Sequence, residues 1–131
     1  MDSILTSIKK LLGISEDYEH FDQDIIMHIN SVFLTLNQLG VVPEYGFSIT
    51  GKEETWDQLT FGDVLLEAVK SYIYLKVRLL FDPPTNSNIV ASMERQISEL
   101  EWRLLTYVDI SSGDGSQDLE KLIDDSEVLL E

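Results

Sequence analysis

Gly62-Asp63-Val64-Leu65-Leu66-Glu67-Ala68-Val69-Lys70-Ser71-Tyr72-Ile73-Tyr74-Leu75-Lys76-Val77-Arg78-Leu79-Leu80-Phe81, closed by Asp82-Pro83-Pro84, is the longest apolar-rich run in the chain. At about 100° per residue, Asp63, Glu67, Lys70, Ser71, Tyr74 and Arg78 fall on one narrow polar stripe. Leu65, Leu66, Ala68, Val69, Tyr72, Ile73, Val77, Leu79 and Leu80 fill most of the remaining wheel. A helix apolar over so much of its surface needs neighbours on several sides. The stretch therefore reads as the central helix of a bundle. Pro83 and Pro84 end it, because proline lacks the N–H and restricts the residue before it. Lys76 interrupts the apolar arc. It either carries its head outward along its stem or meets a carboxylate from another helix or subunit.

Working outward, a first short helix is capped by Asp2 or Ser3 and stopped by Gly13. Ile4, Leu5, Ile8, Leu11 and Leu12 share its apolar face, and Lys9 and Lys10 point away. A second helix spans about residues 18–39 and stops at Gly40. Its buried face is Ile25, Ile26, Ile29, Val32, Phe33, Leu36 and Leu39, with Asp22 and Asp24 near the start, where the dipole favours anions. Met27 and Leu34 stand on the opposite side, either as scattered surface residues or as a subunit contact. A last helix over about residues 88–108 turns Ile89, Val90, Met93, Ile97, Leu100, Leu104, Tyr107 and Val108 to the core. Its outer side carries Arg95, Glu99, Glu101 and Arg103 at ion-pair spacing, and Trp102, a side chain suited to a partner.

Residues 41–60 form a long connection with one brief alternation, Phe47-Ser48-Ile49, fitting a small strand or hairpin. Connections of this length in a compact bundle are uncommon and often functional. Trp56 is expected to pin the far end, and Thr55 or Thr60 to cap the next helix. The expected fold is all-α: about four helices in a small bundle, with this loop between helices two and three. The domain is expected to cover residues 1–108. Residues 109–131 read as a flexible acidic tail beginning at the hinge Ser111-Ser112-Gly113-Asp114-Gly115-Ser116, or as a short helix that folds on a partner through Leu119, Leu122 and Ile123.

The chain has 131 residues and a formal charge of −15. The last 23 residues carry −7 of it and the first 108 carry −8. So acidic a protein repels DNA phosphates instead of gripping them. Cysteine is absent, which excludes disulfides and thiolate zinc sites. No apolar run reaches the roughly 18 residues of a membrane span, and the N-terminus lacks the pattern of a secretory signal. There is no glycine-rich phosphate loop, no GxSxG and no nucleophilic cysteine. His20, Asp24 and His28 recur every four residues, and Asp24 with His28 could share an ion. His20 to His28 spans about 12 Å of helix, too far for one ion. No cofactor is implied.

Several segments resemble the small head–tail connector proteins of long-tailed bacteriophages, most closely those of Gram-positive phages and prophages. They are Phe21-Asp22-Gln23-Asp24-Ile25-Ile26-Met27-His28-Ile29-Asn30-Ser31-Val32-Phe33 with Gln38-Leu39-Gly40, and Gly46-Phe47-Ser48-Ile49 with Trp56. The best match is residues 69–84, followed by Met93-Glu94 and Glu101-Trp102-Arg103-Leu104. The likeness covers about residues 1–108 and leaves out the tail. It implies an α-helical structural adaptor without enzymatic activity. Such adaptors form a ring under the portal at the capsid vertex, complete the head after DNA packaging, and offer a platform to the stopper or tail. The expected partners are copies of the chain in a dodecameric ring, the portal, a stopper or tail-completion protein, and DNA passing through an acidic lumen without specific binding. The expected location is the virion, after assembly in the host cytoplasm. A ring interface joins two different surfaces. Our candidates are the Met27/Leu34 face, the Arg95/Trp102 face, and the Glu67, Lys70, Tyr74, Arg78 stripe with Lys76. The alternatives are an acidic binding protein that mimics DNA and inhibits a host nuclease, and a small metal-dependent enzyme resting on Asp24 and His28.

Overall fold

The proline-terminated central helix is present. In a computed structural model, which describes residues 3–41, 46–59 and 63–111, it is α3, Asp63–Phe81. It follows α1 (Ile4–Leu11) and α2 (Asp22–Gln38), and α4 (Ser87–Ser111) comes after it. A short 3-10 helix covers Trp56–Leu59. Among the described residues the architecture is an all-α bundle, and α3 touches each of the other three helices. Phe21, at the start of α2, packs edge-on against Phe81, at the end of α3, at 5.2 Å. Those two helices are therefore antiparallel. α4 returns along α3 after the proline turn, so α2 and α4 run the same way. Their far ends meet, because a Cβ on Gly40 would sit 3.3 Å from Val108 Cγ1. The core sits around α3 and includes Val69, Tyr72, Ile73 and Val77 with Ile4, Ile8, Ile29, Phe33, Leu36, Trp56 and Leu104.

Both predicted glycine stops form, by the same bonds. At α1, Gly13 N–H donates to Lys10 O and Ile14 N–H to Lys9 O, with Gly13 at φ +81°. At α2, Gly40 N–H donates to Asn37 O and Val41 N–H to Leu36 O, with Gly40 at φ +83°. These paired bonds satisfy carbonyls left free at a helix end, and the left-handed residue between them favours glycine. Ser3 caps α1, its Oγ accepting from Thr6 N–H.

Several expectations are corrected. Helix two begins at Asp22, not near residue 18, because Tyr18 and Asp22 N–H groups close turns onto Ser15 and Glu19 carbonyls. Phe47-Ser48-Ile49 forms no hairpin among the described residues. Instead the Asn30 amide brackets Ile49, with Ile49 N–H donating to Oδ1 at 2.7 Å and Nδ2 donating to Ile49 O at 2.9 Å. That side chain occupies both hydrogen-bonding groups a strand partner would take. The single β-bridge among the described residues pairs Ser3 with Thr55. Trp56 does pin the loop: it is buried, and its Nε1–H donates to Ser7 Oγ at 3.0 Å. Thr55 stands at the start of the 3-10 helix, its N–H held by Gln58 Oε1. Leu11, Leu80, Ile89 and Tyr107 are exposed, not core. Ile89 and Tyr107 are 18 residues apart, hence on one meridian of α4. No described element covers that flank. Thr60 and residues 112–131, where the second capping residue and most of the acidic tail were expected, lie outside the described residues.

Lys9 is the largest correction. It is 1% exposed, the one buried charged residue of the core among the described residues. Its Nζ lies 2.8 Å from Asp22 Oδ1 and donates to the carbonyls of Tyr18 at 2.7 Å and Glu16 at 3.1 Å. The α1–α2 connection folds back over the flank of α1 that a helical wheel leaves open.

Candidate functional site

The predicted assembly residues occupy separate faces, set by which side of each helix the core takes. On α2 the core side holds Ile25, Ile29, Val32 and Leu36. Met27 and Leu34 lie directly opposite and are 57% and 62% exposed. The exposed Asp24 and Ser31 complete this row, one helical turn apart from their neighbours. On α4, Met93, Ile97 and Leu104 face α3. Trp102 is 68% exposed on the far side, joined by Leu105 at 42% and by exposed Arg95 and Ser98. Leu105 escaped the sequence reading, although its i, i+3 spacing from Trp102 was available. An exposed tryptophan and leucine three residues apart bring a large desolvation gain to any partner.

The α3 stripe is only partly open. Glu67, Lys70, Ser71 and Tyr74 line a cleft of about 610 Å³ with Lys10 and Leu11 of α1. Lys70 lies 3.9 Å from Glu67 and sits over the Trp56 ring at 5.3 Å, and Arg78 lies 3.9 Å from Asp82. Lys76 lies 5.9 Å over the ring of Tyr72, one turn back. Among the described residues no carboxylate pairs with it. A cation over an aromatic face is a favourable resting place for a lysine leaving an apolar arc.

Of the ion pairs expected on α4, Arg103–Glu99 forms at 2.6 Å. Glu101 is not an outer residue. It turns inward and accepts from the Tyr72 hydroxyl at 2.7 Å. Burial, reinforced by that carboxylate, pushes the Tyr72 hydroxyl well above its ordinary range. In the loop, burial raises the Glu54 carboxyl. Hydrogen bonds from Thr50 Oγ1, Thr50 N–H and Gly51 N–H outweigh it and hold the group below the usual range. Lys52 is raised by its hydrogen bond to Glu19 and by that carboxylate's charge, which ties the loop to the α1–α2 connection.

The His20, Asp24, His28 row takes another arrangement. His20 packs against Phe21 at 4.8 Å and His28 against Phe81 at 6.4 Å. Asp24 and His28 line a cleft of about 690 Å³ with Phe21, Leu80, Phe81 and Asp82. Among the described residues no three His, Cys, Asp or Glu side chains gather as a metal site. No described helix is long and apolar enough to cross a membrane.

A family model described as phage connector protein matches residues 4–111, which spans all four helices. No curated protein and no solved structure matches the chain.

Proposed function

The chain belongs to the phage connector protein family, and from that premise we propose that it acts as a ring below the portal. The ring completes the head after DNA packaging and presents a platform to the stopper or tail. The observation that carries this reading is the family match over the whole four-helix body. The two exposed apolar faces on α2 and α4 support it, since a ring needs two unlike surfaces on each subunit. The role is structural. The partners are further copies of the chain, the portal and a stopper or tail-completion protein, and the mature location is the virion. Dodecameric symmetry, matching the portal, and an origin in a phage of Gram-positive hosts are parts of the same proposal. DNA would pass through a lumen whose net acidity disfavours sticking. The stretch after α4, residues 112–131, would serve as an acidic appendage to this body.

Sedimentation velocity and negative-stain microscopy of the full chain, alone and with purified portal, test the reading. Rings, or a complex with the portal, are expected. A chain that never forms rings under either condition yet binds a nuclease tightly would replace this reading with the acidic mimic.

A further inference from the structure

Two exposed rows match residue for residue. On α2 the row is Asp24, Met27, Ser31, Leu34; on α4 it is Arg95, Ser98, Trp102, Leu105. Both step by three, four and three, and each α4 residue lies 71 positions after its α2 counterpart. All eight are exposed. Such spacing is the seam by which two helices pack side by side at about 20°.

We propose that α4 of one subunit packs parallel on α2 of the next, with Arg95 on Asp24, Ser98 on Met27, Trp102 on Ser31 and Leu105 on Leu34. The proposal rests on the ring reading above and names its interface. The occupant is a second copy because size and charge both fit. The large Trp102 falls on the small Ser31, between Met27 and Leu34. The large Met27 falls on the small Ser98. Leucine meets leucine at one end. Arg95 has no carboxylate in ion-pair reach among the described residues, α2 carries no lysine or arginine, and Asp24, in its first turn, has no ion-pair partner among the described residues. Glu99 and Arg103, beside the seam, neutralise each other.

The three-four-three spacing reads the same in either direction, so the direction of the pairing rests on the charges and on the ring. Within the subunit α2 and α4 already run the same way, both antiparallel to α3. Rotation about a ring axis preserves direction along that axis. Helices lying along the axis therefore stay parallel between neighbours, as the register requires. A two-fold dimer with its axis across the helices would reverse them.

The chain has no cysteine, so Met27→Cys with Ser98→Cys in one chain gives a clean cross-link. Oxidation of assembled protein, alone or on purified portal, should yield a ladder of covalent oligomers, because each subunit carries one half of two different junctions. A band stopping at the dimer would mean a two-fold pair and overturn the proposal. Rings in the microscope without any ladder would overturn the register and leave the ring reading standing. Absence of rings in every condition would remove both. In solution, Arg95→Glu should raise the concentration for half-assembly about tenfold or more, and Asp24→Arg added to it should restore assembly. Trp102→Ala should raise it about thirtyfold. Unchanged assembly in Trp102→Ala would also overturn the proposal.

Discussion

Replacing Lys9 by methionine keeps the length of the side chain and removes its charge. Asp22 then loses its partner at 2.8 Å, and the carbonyls of Glu16 and Tyr18 lose a donor. Removing one partner of a buried ion pair costs about 3–5 kcal/mol. Two features place this site at the low end. Asp22 keeps 13% exposure, and its position in the first turn of α2 favours a negative charge by about 0.3–1 kcal/mol. Glu16 and Tyr18 are themselves exposed, so water can reach their carbonyls. The expected loss is about 3 kcal/mol, or about 12 °C in Tm at about 4 °C per kcal/mol. Far-ultraviolet circular dichroism during thermal and urea unfolding measures it. Adding Asp22→Leu should return most of the loss, because an apolar pair replaces a broken ionic one. Raising salt should matter little, since the pair is shielded from solvent. A Lys9→Met protein within about 0.5 kcal/mol of wild type, or a loss equally large when Asp22 is already leucine, would refute the reasoning.

Tyr72→Phe removes the hydroxyl bound to Glu101 and should cost about 1–2 kcal/mol in urea unfolding. Because the folded Tyr72 pKa is raised, its contribution is fully present below the unfolded value of about 10 and is lost as pH rises through the folded value. The wild-type advantage over Tyr72→Phe should therefore shrink in alkali. Glu54→Gln should lose less than about 1 kcal/mol at neutral pH. With its folded pKa lowered, the Glu54 contribution is present above the unfolded value and fades as pH falls through the folded one, so the two proteins should converge in acid. Gly40→Ala should cost about 1–2 kcal/mol, from the left-handed backbone at φ +83° together with the 3.3 Å approach to Val108. Alanine at Gly13, also at positive φ but with nothing within 4 Å, should cost less.

Much of what depends on a single chain segment is legible in the sequence, the start of α2 at Asp22 and the irregular course of residues 47–49 excepted. The period of residues 62–81 and the two prolines specify α3 and its end. The Gly13 and Gly40 stops come from local backbone geometry, and Met27, Leu34 and Trp102 face out because a helix period places them opposite the core. The family resemblance lies in the same segments. What a wheel cannot supply is the returning chain. Lys9 is buried because the 12–21 connection closes over it and brings two carbonyls and Asp22. Glu101 turns inward because Tyr72, 29 residues earlier, needs an acceptor. Asn30 takes the place of a strand for Ile49, 19 residues on. Leu11, Leu80 and Ile89 belong to apolar arcs yet stay exposed, because an arc shows which way a side chain points and not whether another element arrives there. The sequence by itself therefore determined the helices and their stops, which depend on bonds a few residues long. Only the tertiary structure decided which polar groups are buried and which apolar ones stay open, because both depend on contacts between distant parts of the chain.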